Sequence, residues 1–158
     1  MIETGPILGK YEIKEVQDSL TQQTLLLVDS KGKVIAKHEI YSLSNNYARK
    51  ESSTHHSDFF YSPPLHFYTG RIDSYLNEQG IGLALWQYGE RYFYYNCEKP
   101  YYRMIRDISK THWTERHMPE LLEDLALNSI PVKTIWEEVN QEGQYMCLLL
   151  FEDLNEEE

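Results

Sequence analysis

The sequence Tyr145-Met-Cys-Leu-Leu-Leu-Phe151 is almost entirely apolar and lies near the end of the chain. A short apolar run of this kind is typical of a strand that is buried on both faces. It follows Asn140-Gln-Glu-Gly143, whose residues favour a tight turn, and a β-type segment at 132–139. The sequence therefore predicts a C-terminal hairpin whose last strand is central in a sheet.

A second hairpin is predicted in the first half of the chain. Residues 24–28 form a short apolar run, Asp29-Ser-Lys-Gly32 supplies turn residues, and residues 34–41 resume with apolar side chains. Upstream of this hairpin, residues 10–16 alternate polar and apolar side chains, which predicts a half-buried first strand.

Helical patterns occur in two places. Residues 119–127 carry an apolar stripe opposite acidic side chains, and Pro119 would stand in the first helical turn, where a proline is tolerated. Residues 83–95 are rich in aromatic side chains, and their pattern predicts a helix first and a strand last. Residues 100–108 are ambiguous between a helix and a strand.

The remaining segments complete the expected fold. Residues 65–72 follow a diproline and predict another strand, whereas residues 42–64 keep neither a helical nor a strand period and predict a loop, with a missed helical turn as the alternative. The elements together predict a single α+β domain at 1–151, with a mostly antiparallel central sheet, terminal hairpins and a few helices. An acidic tail follows at 152–158.

Composition narrows the class of protein. The chain has 158 residues, 15 Lys and Arg against 25 Asp and Glu, and a formal net charge of −10. That sign of charge repels phosphate backbones and argues against a nucleic-acid partner. The sequence contains no apolar run long enough for a membrane span and no leader pattern, so a cytoplasmic location is predicted. Cys97 and Cys147 stand far apart without a ligand pattern, which predicts reduced packing thiols and no metal site.

The order of the predicted elements, with Asn77-Glu-Gln-Gly80-Ile-Gly82 between a strand and a helix, resembles the GNAT family of N-acetyltransferases. The acyl-CoA loop of that family has the pattern Gln/Arg-x-x-Gly-x-Gly/Ala. Gly80 and Gly82 match this pattern, whereas Asn77 stands where Gln or Arg is expected. The paired helices that follow the first strand in the family have no counterpart in the short segment between Val16 and Thr24.

The resemblance implies direct attack by a small-molecule or protein amine on acetyl-CoA or another acyl-CoA. Backbone N–H groups of the preceding strand would hold the oxyanion. The pyrophosphate would be held by the backbone of five consecutive residues, Gln79, Gly80, Ile81, Gly82 and Leu83. By residue type, the candidates for the base and for the acid that protonates the thiolate are His112, Glu115 and Tyr145. The plainer interpretation of Gly80 and Gly82 is a tight turn between two elements.

Two other functions fit the sequence. The acidic charge and a cluster of tyrosines between residues 88 and 102 are typical of a non-enzymatic binding protein, of inhibitor or immunity type, that covers a basic partner. Alternatively, His55-His-Ser57 and His112-Trp-Thr114 resemble the paired His-x-Ser/Thr motifs of two-histidine phosphoesterases. In that family the two histidines act as acid and base on a phosphodiester.

Overall fold

The computed structural model describes residues 4–19, 22–43, 66–75, 80–107 and 111–153. Most of the predicted loop at 42–64, the predicted site residue Gln79 and the end of the acidic tail lie outside these ranges. The helices and strands within them are α1 (Gly5–Leu8), β1 (Glu12–Ser19), β2 (Gln22–Val28), β3 (Val34–Ser42), β4 (His66–Ser74), α2 (Ile81–Asn96), β5 (Tyr101–Asp107), α3 (Trp113–Leu127), β6 (Val132–Val139) and β7 (Tyr145–Phe151). None of these helices is both long enough and apolar enough to cross a membrane.

The strands form a seven-stranded sheet in the order β1-β2-β3-β4-β5-β7-β6. The β1–β2, β2–β3, β5–β7 and β6–β7 ladders are antiparallel, whereas β4 and β5 are parallel. The predicted α+β class, the mostly antiparallel sheet and both hairpins are therefore confirmed. β7 lies between β5 and β6, which confirms that the most apolar strand is an interior one. Residues 100–108, which the sequence left ambiguous, contain a strand.

The chain forms two compact units, each with its own interior. The first unit comprises Met1–Tyr41 and Gly70–Cys97, and the second comprises Ser42–Thr69 and Glu98–Glu158. In the first unit, the β2–β3 turn is closed by Asp29, whose Oδ1 accepts the N–H groups of Lys31 and Lys33, both at 2.9 Å. These backbone bonds hold the pKa of Asp29 below its ordinary value.

The interior of the first unit forms where α2 packs against the β2–β3 hairpin. Its buried apolar side chains are Leu8, Leu25, Leu27, Ile35, Ala36, Ile81, Leu85 and Tyr88. The prediction of a strand at the end of residues 83–95 was wrong, because the helix continues to Asn96. Phe93 and Tyr94 are buried on the helix and extend its inward stripe, so packing outweighs the β propensity of these aromatic residues.

A polar contact is buried inside this apolar interface. His38 on β3 and Glu90 on α2 are both fully buried, and Nε2 of His38 lies 3.8 Å from Oε2 of Glu90. Glu90 also accepts the indole N–H of Trp86 at 3.1 Å. The imidazole lies directly on Gly89, where an added Cβ would stand 2.3 Å from Nδ1 of His38. The absence of a side chain at Gly89 therefore allows α2 to approach β3 this closely.

In the second unit, α3 contacts β5 and β6 and buries Met118, Leu121 and Leu125. The predicted helix at 119–127 is confirmed, but its predicted start was wrong, because α3 begins at Trp113 and Pro119 lies inside it. A proline at this position leaves the carbonyl of Glu115 without the usual i+4 donor. The apolar stripe at 119–127 does not reach back into the first turn. That turn is held instead by Asp107, whose Oδ2 accepts the N–H of Thr114.

We expect Gly89→Ala to destabilise the protein, although the same change in the middle of a helix usually stabilises it by about 0.5–1 kcal/mol. The added methyl group would overlap the His38 ring, and overpacking of this kind costs about 1–3 kcal/mol. Urea unfolding measures the difference. The control is the same substitution in a His38→Ala background, where the methyl group has room and should no longer destabilise. A stabilising effect of Gly89→Ala alone would contradict the packing described here.

Candidate functional site

The glycine motif lies at the start of α2. Gly80 is the N-cap residue and has φ +88°, a left-handed conformation that favours glycine. Its carbonyl accepts the first helical N–H, that of Ala84, at 2.8 Å, and among the described residues no side chain caps this end. The N–H groups of Ile81, Gly82 and Leu83 therefore lack acceptors within the helix, and such groups are suited to an anion.

Space at this helix start is limited by α1. A Cβ on Gly80 would lie 3.1 Å from Cδ1 of Ile7, so a larger residue would need both a strained backbone and a displaced neighbour. Ile81 is buried and anchors the first turn in the interior, whereas Gly82 and Leu83 are half-buried. Four of the five predicted cofactor-binding residues are thus consecutive at one helix terminus, and Gln79 lies outside the described residues.

The strand before this loop pairs only briefly with β5. The ladder between them joins His66 to Tyr101, Phe67 to Tyr102 and Tyr68 to Arg103. At the next position the carbonyl of Met104 accepts two side-chain bonds, one from the hydroxyl of Thr69 and one from Nη1 of Arg103, both at 3.1 Å. Two side-chain donors therefore bind the Met104 carbonyl just beyond the last described pair of the β4–β5 ladder. β4 itself continues to Ser74.

The start of α3 brings two predicted catalytic residues together. His112 is the N-cap residue, with φ +56°, and its Nδ1 lies 3.1 Å from Oε1 of Glu115. Both side chains are partly exposed to solvent. A carboxylate at Nδ1 favours the tautomer that carries its proton there, which leaves the Nε2 lone pair as a base. His112 and Glu115 therefore have the geometry of a general base with its orienting carboxylate.

A second pair on the same helix has similar geometry. Nδ1 of His117 lies 2.7 Å from Oε1 of Glu120, at the same sequence separation of three. The His117 ring also packs against the Trp113 ring, with centroids 4.8 Å apart. Pairs at this spacing occur on ordinary helix surfaces. The His117 pair therefore provides a matched comparison for the His112 pair.

Tyr145, the third predicted catalytic residue, is buried on β7 and donates its hydroxyl hydrogen bond to Oε2 of Glu137 at 2.5 Å. Burial, and then this bond to Glu137, raise the pKa of Tyr145 far above its ordinary value. A hydroxyl in this setting keeps its proton and acts as a hydrogen-bond donor. That Tyr145 protonates a thiolate stays a prediction.

Sequence reasoning missed the residue that links these groups. Asp107, the last residue of β5, pairs with Tyr145 in the β5–β7 ladder. Its Oδ2 accepts the backbone N–H of Thr114, in the first turn of α3, at 2.8 Å. The contact joins a strand end to a helix start, and no local sequence pattern predicts a cap of this kind. The buried contacts of Thr69 and Arg103 with Met104 were missed for the same reason.

The structure describes several residues on which the two alternative functions depend. In the tyrosine cluster Tyr88, Tyr94, Tyr101 and Tyr102 are buried, so these four belong to the interior and do not form a docking surface. His112-Trp-Thr114 begins a helix, whereas His55-His-Ser57 lies outside the described residues. No group of three His, Cys, Asp or Glu side chains that could hold a metal ion occurs in the part of the chain that the structure describes.

No model of a known protein family matches this chain, and a search of curated proteins finds no match. The geometry of the described residues therefore carries the functional interpretation. In the first unit the relevant feature is the start of α2, where Gly80 is the N-cap residue. In the second unit it is the His112–Glu115 pair, whose helix start is bonded to Asp107 at the end of β5.

We expect Thr69→Val to lower the free energy of unfolding by about 1 kcal/mol, because a buried hydroxyl loses its bond to the Met104 carbonyl while the side-chain volume is kept. Urea unfolding gives the difference from the parent protein. Thr24→Val is the control, since Thr24 is also buried on a strand but its hydroxyl accepts a long bond, 3.4 Å, from Gln22. Equal losses in the two variants would show that the Met104 contact contributes nothing specific.

Proposed function

We propose that this protein is a GNAT-like acyltransferase that moves an acyl group from an acyl-CoA to an amine. The observation that carries the proposal is the connection from β4 to β5, which are parallel neighbours joined through a helix that begins at Gly80. A parallel pair requires such a crossover, and the helix start that follows the first strand is suited to phosphate groups. The element order and the Gly80 and Gly82 motif resemble the GNAT family in the same region.

In the first unit, the start of α2 is the proposed site for the acyl-CoA. The N–H groups of Ile81, Gly82 and Leu83 would hold the pyrophosphate, because they have no acceptors within the helix. Backbone N–H groups in the part of β4 beyond Tyr68 would hold the thioester carbonyl oxygen as it gains charge. When bound, acyl-CoA supplies an acyl group already activated for attack by nitrogen.

Within the second unit, the His112–Glu115 pair is the candidate for the proton chemistry of this proposal. As a base, Nε2 of His112 would take the proton of the attacking amine as the C–N bond forms and the C–S bond breaks, and the imidazolium would return this proton to the departing thiolate. Glu115 stabilises the imidazolium through Nδ1. Tyr145 has no assigned step in this proposal, because its hydroxyl already donates to Glu137 and its raised pKa opposes loss of the proton.

Acyl transfer is tested by incubating the purified protein with acetyl-CoA and a panel of amines, from small primary amines to a lysine-rich peptide, and by measuring the mass of acetylated product. We expect product that requires both acetyl-CoA and protein. His112→Ala should lower kcat by about 10²–10⁴-fold, the usual contribution of a positioned general base. His117→Ala, which removes the matched pair on the same helix, should leave kcat within a few-fold of the parent. Equal losses would exclude His112 as the base.

Cofactor binding is tested with a pair of glycine variants in the first unit. Gly80→Ala and Gly32→Ala both place a side chain at positive φ, which costs about 1–2 kcal/mol of stability. Only Gly80→Ala alters the helix start, so only this variant should bind acetyl-CoA more weakly by calorimetry. Parent protein that binds no acetyl-CoA at millimolar concentration, or equal weakening in both variants, would contradict the assigned cofactor site.

A further inference from the structure

We propose that Asp107 is a positioning residue for the His112–Glu115 pair, which it holds in place by accepting the N–H of Thr114. The inference deepens the proposed function and rests on it for the identity of the base. The role of Asp107 in orienting the imidazole can nevertheless be measured whether or not acyl transfer is observed.

The N-cap residue of α3 does not cap the helix with its own side chain. An N-cap side chain usually accepts an N–H group from the first helical turn. His112 occupies the N-cap position in a left-handed conformation, and its side chain makes no cap bond, because the ring is turned to Glu115. The capping bond comes from Asp107, whose Oδ2 lies 2.8 Å from the amide nitrogen of Thr114, the second helical residue.

Asp107 is itself held in place by the strands around it. It is buried and ends β5, where it pairs with Tyr145 on β7. Tyr145 is fixed in turn by its bond to Glu137 on β6. Asp107 therefore belongs to a part of the sheet formed by β5, β7 and β6. Its bond to Thr114 ties the start of α3 to these strands.

The bond from Thr114 to Asp107 would keep the His112–Glu115 pair in position during the reaction. Thr114 stands between the two members of the pair in sequence, so a shift of its backbone displaces His112, Glu115 or both. A displacement of about 1 Å at a catalytic group can cost about 10²-fold in rate. The function of Asp107 needs an acceptor atom and does not need a negative charge, so an amide at this position should serve.

The test compares Asp107→Ala with Asp107→Asn in the full chain. Asp107→Ala should lower kcat by about 10²-fold and leave KM for acetyl-CoA unchanged, whereas Asp107→Asn, which keeps an acceptor for Thr114, should stay within a few-fold of the parent. The control is Asp29→Ala, which removes a carboxylate that accepts backbone N–H groups in the β2–β3 turn and should leave kcat unchanged. If Asp107→Ala does not fold, Asp107→Glu keeps the charge, moves the carboxylate by one methylene, and should lower kcat.

The second readout is independent of activity. Nitrogen-15 NMR of labelled histidine, assigned with the His112→Ala variant, reports which ring nitrogen of His112 carries the proton. We expect the Nδ1–H tautomer in the parent and in Asp107→Asn, and the Nε2–H tautomer of free histidine to gain population in Asp107→Ala. An unchanged tautomer in Asp107→Ala, or a loss of kcat that Asn does not rescue, would overturn the positioning role. Parent protein without acyl transfer would overturn the proposed function instead, and the tautomer result would still decide the role of Asp107.

Discussion

The parallel pairing of β4 with β5 is the constraint on which the rest of the account depends. Antiparallel neighbours can be joined by a short turn, but parallel neighbours require the chain to cross back, and here α2 lies in that crossover. In sequence, the helix therefore starts after β4, and the N–H groups of its first turn have no acceptors within the helix. The described ladder between β4 and β5 has three residue pairs. At the next position the side chains of Thr69 and Arg103 donate to the Met104 carbonyl, and β4 continues beyond this point.

In each unit, one helix makes a polar contact with a strand in an otherwise apolar setting. In the first unit, Gly89 allows the ring of His38 on β3 to lie on α2, with Nε2 of His38 3.8 Å from Oε2 of Glu90. In the second unit, Asp107 supplies the cap that His112 does not provide. Apolar packing alone tolerates small rotations of a helix, whereas a buried hydrogen bond with one acceptor fixes its position more narrowly.

The sequence predicted the elements that depend on local pattern. The turns at Asp29 and Asn140 and the apolar run of β7 indicated both hairpins, because turn chemistry and strand burial are visible in neighbouring residues. The pattern failed where long-range contacts decide the outcome. The burial of Phe93 and Tyr94 extends α2 against their β propensity, and α3 begins six residues before Pro119 with its first turn held by Asp107.

The candidate site also combines residues that the sequence pattern identifies with residues that only long-range contacts reveal. Gly80 was identifiable because glycine lets a backbone approach a phosphate group and matches the loop pattern of the family, whereas His112 and Glu115 were candidates by residue type alone. Asp107 and Thr69 act through partners far away in sequence, so residue type and spacing gave no indication of them. Their roles follow only from the pairing of β5 with its neighbours.

The most direct test of the central claim is a titration of nitrogen-15-labelled protein with acetyl-CoA, followed by backbone amide NMR. The account predicts that the amide signals of Ile81, Gly82 and Leu83, with those of β4 beyond Tyr68, move most and saturate together. Signals that move elsewhere while these stay fixed, or no movement at millimolar ligand, would contradict the claim that the crossover between the parallel strands forms an acyl-CoA site.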